Sequence, residues 1–260
     1  MHAPTEYILQ LADNALVLGQ RNAQWCGHGP ILEEDIALAN NSLDLIGQAR
    51  LLYQHAAALQ GGDATEDRLA YFRDVPDFRN YTLTELPHTA LVAATSQGDL
   101  DFAVTTVRNF LFSSLMVLVW DQLQNSADTT LASIAAKSLK EVRYHLRHSR
   151  DWLIRLGDGT DASHAKVQTA LDQFFPYTQE FWSSSPQEAQ ALANGTGIDM
   201  AALQNDWNAI VNTAVQEAHL ERPADGGFVP TGKQGIHSEH LGFVLTEMQS
   251  LARAHPEATW

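Results

Sequence analysis

Residues 141–149 read EVRYHLRHS, which sets Glu141, His145 and His148 within about two turns of one helical stretch. Carboxylate and imidazole at such spacing are the donors of a di-metal centre, where a Glu-x-x-His pair puts both side chains on one inward face. The glutamate is out of that frame. The apolar stripe of this segment is Ala135, Leu139, Val142, Leu146 and Leu153, with Ser149 in line. His145 flanks the stripe by about 60° at 100° per residue. The inward position three residues before His145 is therefore Val142, and Glu141 falls to the side.

A second stretch repeats the pattern. SLDLIGQAR (42–50) aligns with LKEVRYHLR (139–147), so Asp44 matches Glu141, Leu45 matches Val142, Gln48 matches His145 and Arg50 matches Arg147. Such internal pseudo-symmetry is expected of paired metal-helix units. In both copies an aliphatic residue stands where the inward glutamate belongs. FAVTTVRNFLFSSLMVLVW, between Asp101 and Asp121, holds no carboxylate and carries Arg108, while residues 4–24 offer only Glu6 and Asp13. Four inward carboxylates, which a di-metal site needs for charge balance, are not evident. No metal site is expected in this chain: Leu45, Gln48, Val142 and His145 read as a degenerate metal frame. Asp44, Arg50, Glu141 and Arg147 read as structural polar pairs, Glu141 reaching His145 at i, i+4.

Other motifs are weaker. HSEH (237–240) lacks the HExxH spacing of a zinc hydrolase and reads as a helix start. GGFVPTGKQG (226–235) is not GxxxxGK[ST], so Lys233 does not mark a nucleotide loop. Cys26 in QWCGHG, with His28 nearby, reads as a core or interface residue.

These residues must be positioned by helices. Apolar residues recur at spacings of three and four with almost no period-two alternation, giving an all-α chain. Long helices are predicted over 4–24, 31–60, 99–126 and 129–156, and further ones near 162–182, 200–220 and 238–254. Pro30, Gly61-Gly62, Asp99, Gly157 and Gly159 punctuate the long ones, and Ser238 is a candidate N-cap for the last. RDVPDFRNYTLTELP (73–87) and ERPADGGFVPTGKQGIH (221–237) read as non-helical. Four long helices with a crossover over 61–98 are the layout of a ferritin-like four-helix bundle, extended here by C-terminal helices. With no compositional break, residues 1–260 read as a single domain.

The formal charge of −15, from 16 basic and 31 acidic residues, argues against nucleic acid or an anionic membrane as partner. A lone cysteine, no signal-like N-terminus and an apolar run (110–120) well short of the ~20 residues that span a bilayer point to the cytoplasm.

With DNALVLGQR, WCGHGP, IALAN, DLIGQAR, KEVRYHLRHSRDWLIRLGDGT, GIHSEHLG and EMQ in view, the whole chain resembles the structural subunits of multicomponent phenylacetyl-CoA epoxidases. That resemblance implies a non-catalytic ferritin-like subunit paired with a homologous di-iron catalytic subunit. It further implies a small bridging subunit and an NADPH-dependent reductase holding FAD and an iron-sulfur cluster, the assembly epoxidising phenylacetyl-CoA. By position, Asp77, Phe78, Arg79 and Asn80, with Ala191, Leu192 and Ala193, would lie toward the edge where the partner binds CoA. An independent ferritin-like metal-binding oxidase and an acyl-CoA-binding helical protein, with Arg79 and Lys233 on phosphates, are the alternatives.

Overall fold

The computed structural model describes residues 1–89 and 100–258, and no strand occurs among them. Ten α-helices follow in order among the described residues: α1 (Thr5–Ala23), α2 (Leu32–Gln60), α3 (Glu66–Tyr71), α4 (Thr82–Glu85), α5 (Phe102–Leu123), α6 (Thr129–Gly157), α7 (Asp161–Phe174), α8 (Pro186–Ala193), α9 (Gln204–Glu217) and α10 (Glu239–Ala254). The four long helices are α1, α2, α5 and α6.

Side-chain caps account for half of the ten described helix starts. Asp99 lies outside the described residues, and α5 is capped by Asp101, whose Oδ1 accepts the Ala103 N–H at 2.9 Å. Asp128 caps α6 by accepting the N–H groups of Thr130 and Leu131, both at 3.1 Å. The crossover holds two helices that periodicity did not reveal, α3 and α4. Thr65 caps α3 through the Arg68 N–H, while α4 is a single turn, too short for an apolar repeat to register. The Ser-Pro pair at 185–186 starts α8 with a reciprocal capping box between Ser185 and Glu188. The predicted helix over 162–182 changes character at Phe175, continuing as 3-10 turns to Trp182. Pro176, without an N–H, cannot extend the α-ladder there.

The chain divides into two compact units, one formed by residues 2–86 with 231–260 and the other by 87–230 together with Met1. In the first, α1 and α2 run antiparallel. Gly19 permits their approach, since a Cβ there would stand 3.2 Å from Ile46 and 3.3 Å from Leu45, and the Ser42 hydroxyl donates to the Gly19 carbonyl at 2.6 Å. α10 lies on α3: Gln249 donates to the carbonyls of Ala70 and Arg73, and Arg253 to those of Tyr71 and Arg73. These bonds occupy the orphan carbonyls at the end of α3.

The second unit is built on the α5–α6 hairpin. α5 is the one described helix long and apolar enough to cross a bilayer, and 83% of its apolar window is buried in the protein. It is a core helix. Each fully buried Leu, Val or Phe contributes roughly 1.5–3 kcal/mol, which α5 multiplies through Val107, Phe110, Leu111 and Leu115. Arg108, in the same helix, is fully buried and faces His88 Nδ1 at 2.9 Å. α9 closes on α5 through Trp207, whose indole N–H donates to the Leu111 carbonyl at 3.2 Å. Phe175, Phe181 and Trp182 pack against the same ring. Gly157 ends α6 against α9, where a Cβ would meet the Ala218 carbonyl at 2.4 Å.

Candidate functional site

In the first unit the α2 copy of the repeat presents Leu45 and Gln48 on the buried face, at 3% and 2% exposure. In the second unit the α6 copy presents Val142 and His145 the same way, at 1% and 5%. The acids beside them, Asp44 and Glu141, lie half-buried on the flanks of their helices. The out-of-frame placement of the two carboxylates follows from the helical phase, because a one-residue offset turns a side chain by about 100°.

The flanking charges have nearby partners. Glu141 sits 4.0 Å from Lys137 one turn earlier. Arg50 is exposed and donates to Glu66 of α3 at 3.0 Å. Arg147 lies over the Tyr144 ring at 5.6 Å. Asp44, Gln48, Glu141, His145 and His148 each make further contacts.

Sequence phase alone did not place Asp13 among inward carboxylates, and this needs correction. Asp13 is fully buried in α1. Its Oδ1 accepts the Tyr53 hydroxyl at 2.5 Å and a bond from Arg73 Nη2; its Oδ2 accepts Arg73 Nη1 at 3.1 Å and the Arg79 N–H at 2.8 Å. The guanidinium of Arg73 in turn lies 4.3 Å from the centre of the Phe78 ring. Burial pushes the Tyr53 phenol well above its usual value, and Asp13 adds to the effect. Burial alone would draw Arg73 down, yet Asp13 and Tyr53 more than offset it and hold the guanidinium above its ordinary range. Asp13 thus has a cation already, and its oxygens are committed to hydrogen bonds.

A second buried carboxylate organises the loop before α10. Glu85 Oε2 accepts Asn80 Nδ2 at 2.9 Å and faces His237 Nδ1 at 2.8 Å, while Oε1 accepts the Ser238 N–H at 2.6 Å. His237 Nε2 meets the Phe78 carbonyl at 3.0 Å. A carbonyl only accepts, so the Phe78 contact is a hydrogen bond in the tautomer that carries its proton on Nε2. Ser238 does occupy the N-cap position of α10, without a side-chain cap bond. HSEH is an anchor for residues 78–85.

The four crossover positions have structural work. Phe78 and Asn80 are fully buried, Asp77 Oδ2 accepts the Asp74 N–H at 3.1 Å, and Arg79 Nη1 donates to the carbonyls of Pro76 and Phe78. Arg79 also approaches Glu6 at 3.7 Å and remains partly exposed. Lys233 is 1% exposed, its ammonium 5.7 Å from the Tyr81 ring. In the other unit Ala191 is buried, Ala193 is exposed, and Leu192 is 45% exposed at the rim of a pocket of about 410 Å³ that also involves Gln122, Asp199 and Asp206. Cys26 is exposed, which excludes the core half of the core-or-interface expectation; it lies in a turn where Asp35 accepts the flanking Gly27 and Gly29 N–H groups.

Long helices with a helical crossover and a repeated segment whose inward positions are aliphatic define an all-α, ferritin-like protein. The family follows from its relatives. Residues 1–260 match the model of the phenylacetic acid catabolic protein family, and the chain belongs to that family. It is 42% identical, over 260 residues covering all of both chains, to the C subunit of the 1,2-phenylacetyl-CoA epoxidase of Escherichia coli (strain K12).

Proposed function

We propose that this chain is the structural subunit of a phenylacetyl-CoA epoxidase assembly, holding a homologous di-iron catalytic subunit in shape and binding no metal itself. The observation that carries the reading is the pair Leu45 and Val142: both are buried, both sit at the register of an inward glutamate, and neither can ligate. The buried acid that α1 does contribute, Asp13, is engaged by Arg73, Tyr53 and the Arg79 amide. The whole-length similarity to one chain of the Escherichia coli epoxidase supports the same reading. The partners are then the catalytic di-iron subunit, a small bridging subunit and an NADPH-dependent reductase with FAD and an iron-sulfur cluster, all in the cytoplasm. Phenylacetyl-CoA is bound by the assembly, with Asp77, Arg79, Leu192 and Ala193 the candidate positions of this chain that are at least partly exposed.

The test is metal analysis and assembly together. The isolated chain is expected to hold no stoichiometric iron and to form a stable complex with the catalytic subunit, burying ~2,000 Å² or more. Calorimetric titration of the isolated chain with phenylacetyl-CoA should give little heat. Two irons per isolated chain would sink the proposal.

A further inference from the structure

α6 carries six of the chain's 16 basic residues in a protein of formal charge −15. Its buried stripe includes Leu139, Val142, His145, Ser149 and Leu153. At 100° per residue, Lys137, Lys140, Arg143, Arg147, Arg150 and Arg155 all fall within an arc of about 140° on the opposite side. Along the axis the row extends about 27 Å at 1.5 Å per residue.

Part of this charge is neutralised at home. Arg150 binds both oxygens of Glu217 at 2.7 Å, Arg143 lies 3.6 Å from Asp121, and Lys137 pairs with Glu141. The other three cations are not neutralised. Lys140, Arg147 and Arg155 have no carboxylate within ion-pair distance among the described residues. Arg147 instead rests on Tyr144, itself 41% exposed, and Arg155 on Trp152 at 4.8 Å. A guanidinium lying on a ring keeps its N–H edge free for a carboxylate and loses little entropy on binding one. Arginine with tyrosine and tryptophan is also the composition of protein-interface hot spots.

We propose that the solvent face of α6, centred on Lys140, Arg143, Tyr144, Arg147 and Arg155, docks an acidic face of another protein subunit. The partner is identified by charge complementarity: in a chain this acidic, a row of cations only half compensated by its own acids attracts carboxylates. A protein suits it better than a polyanion. Asp151 lies in the middle of the row and Glu141 at its margin, so a ligand of uniform negative charge meets repulsion there, whereas a folded face can leave gaps opposite those acids. This partner rests on the reading of the chain as one subunit of an epoxidase assembly.

The experiment compares Arg147→Glu with Lys166→Glu, an equal charge change at an exposed site on α7, each co-expressed with the other subunits. Affinity for the partner subunits is measured against salt, and carbodiimide cross-links are mapped by mass spectrometry. Arg147→Glu is expected to weaken one partner by about tenfold or more. Lys166→Glu should leave it within about twofold, because screening confines an exposed charge to about 8 Å at physiological salt. Cross-links should join Lys137 or Lys140 to carboxylates of that same chain. Equal behaviour of the two variants, or binding insensitive to salt, overturns the proposal. Loss of heparin retention by Arg147→Glu with subunit affinity unchanged overturns it in favour of a polyanion. If the wild-type chain captures none of the other subunits, the assembly reading fails first and the docking surface falls with it.

Discussion

Asp13 of α1 and Arg73 of the crossover form a bidentate pair, with the carboxylate fully buried and the guanidinium side chain 13% exposed. A buried ion pair of this kind matters most when one partner is removed, because the other charge is then left uncompensated in a poorly solvated place.

Asp13→Asn preserves shape and removes charge. It is expected to lower unfolding free energy by about 3–5 kcal/mol. Tyr53→Phe, which deletes one donor while Arg73 and the Arg79 amide still serve Asp13, should cost only about 1–2 kcal/mol. Urea unfolding of both variants and of the double variant measures the coupling. A loss below about 1 kcal/mol for Asp13→Asn would mean that Arg73 is already solvated in solution.

His240 is held below its usual pKa of 6.5, first by burial and then by Arg21, with Glu239 and Glu85 opposing. A histidine depressed in the folded state takes up its proton more readily when unfolded. The unfolded chain therefore binds more protons just below 6.5, and the stability present above that pH is lost as pH falls toward the folded value. Unfolding midpoints between about pH 7.5 and 5.5 should fall less steeply in His240→Asn than in the wild type. Equal slopes would assign the acid sensitivity to other groups.

Val142→Glu places a carboxylate at the inward frame position of α6. With Val142 1% exposed, the substitution is expected to cost roughly 3 kcal/mol or more. Ferrous iron should not restore the loss, because a single added acid beside His145 does not complete a donor set. The check is the melting temperature with and without iron, together with the iron content of the purified variant. Recovery on adding iron would mean that the neighbouring side chains still form a working half-site.

The long helices were legible from their length and apolar content between breakers such as Pro30 and Gly61 around α2, with side-chain caps only at Asp101 for α5 and Asp128 for α6. The helical phase also placed Leu45 and Val142 on the buried faces of α2 and α6, since that phase is a local property. The Asp13–Arg73 pair was not legible: it joins residues 60 apart, and nothing in the neighbourhood of either names the other. Glu85 and His237, 152 residues apart, escaped for the same reason. Short helices α3, α4 and α8 lacked enough turns for a period to appear. Cys26 reads as core or interface from its residue type, and it lies exposed beside the Gly27 turn at φ +82°.

The unit that contains α1 and α2 is discontinuous, needing residues 231–260 for completion, while the other unit is, apart from Met1, a single run of chain. Gln249 and Arg253 supply donors for carbonyls made almost 180 residues earlier. During synthesis the N-terminal hairpin emerges first yet must wait for the last helix, and the intervening segment has all its own parts beforehand. Loss of residues 231–260 would thus spoil the unit whose other half is made before residues 87–230.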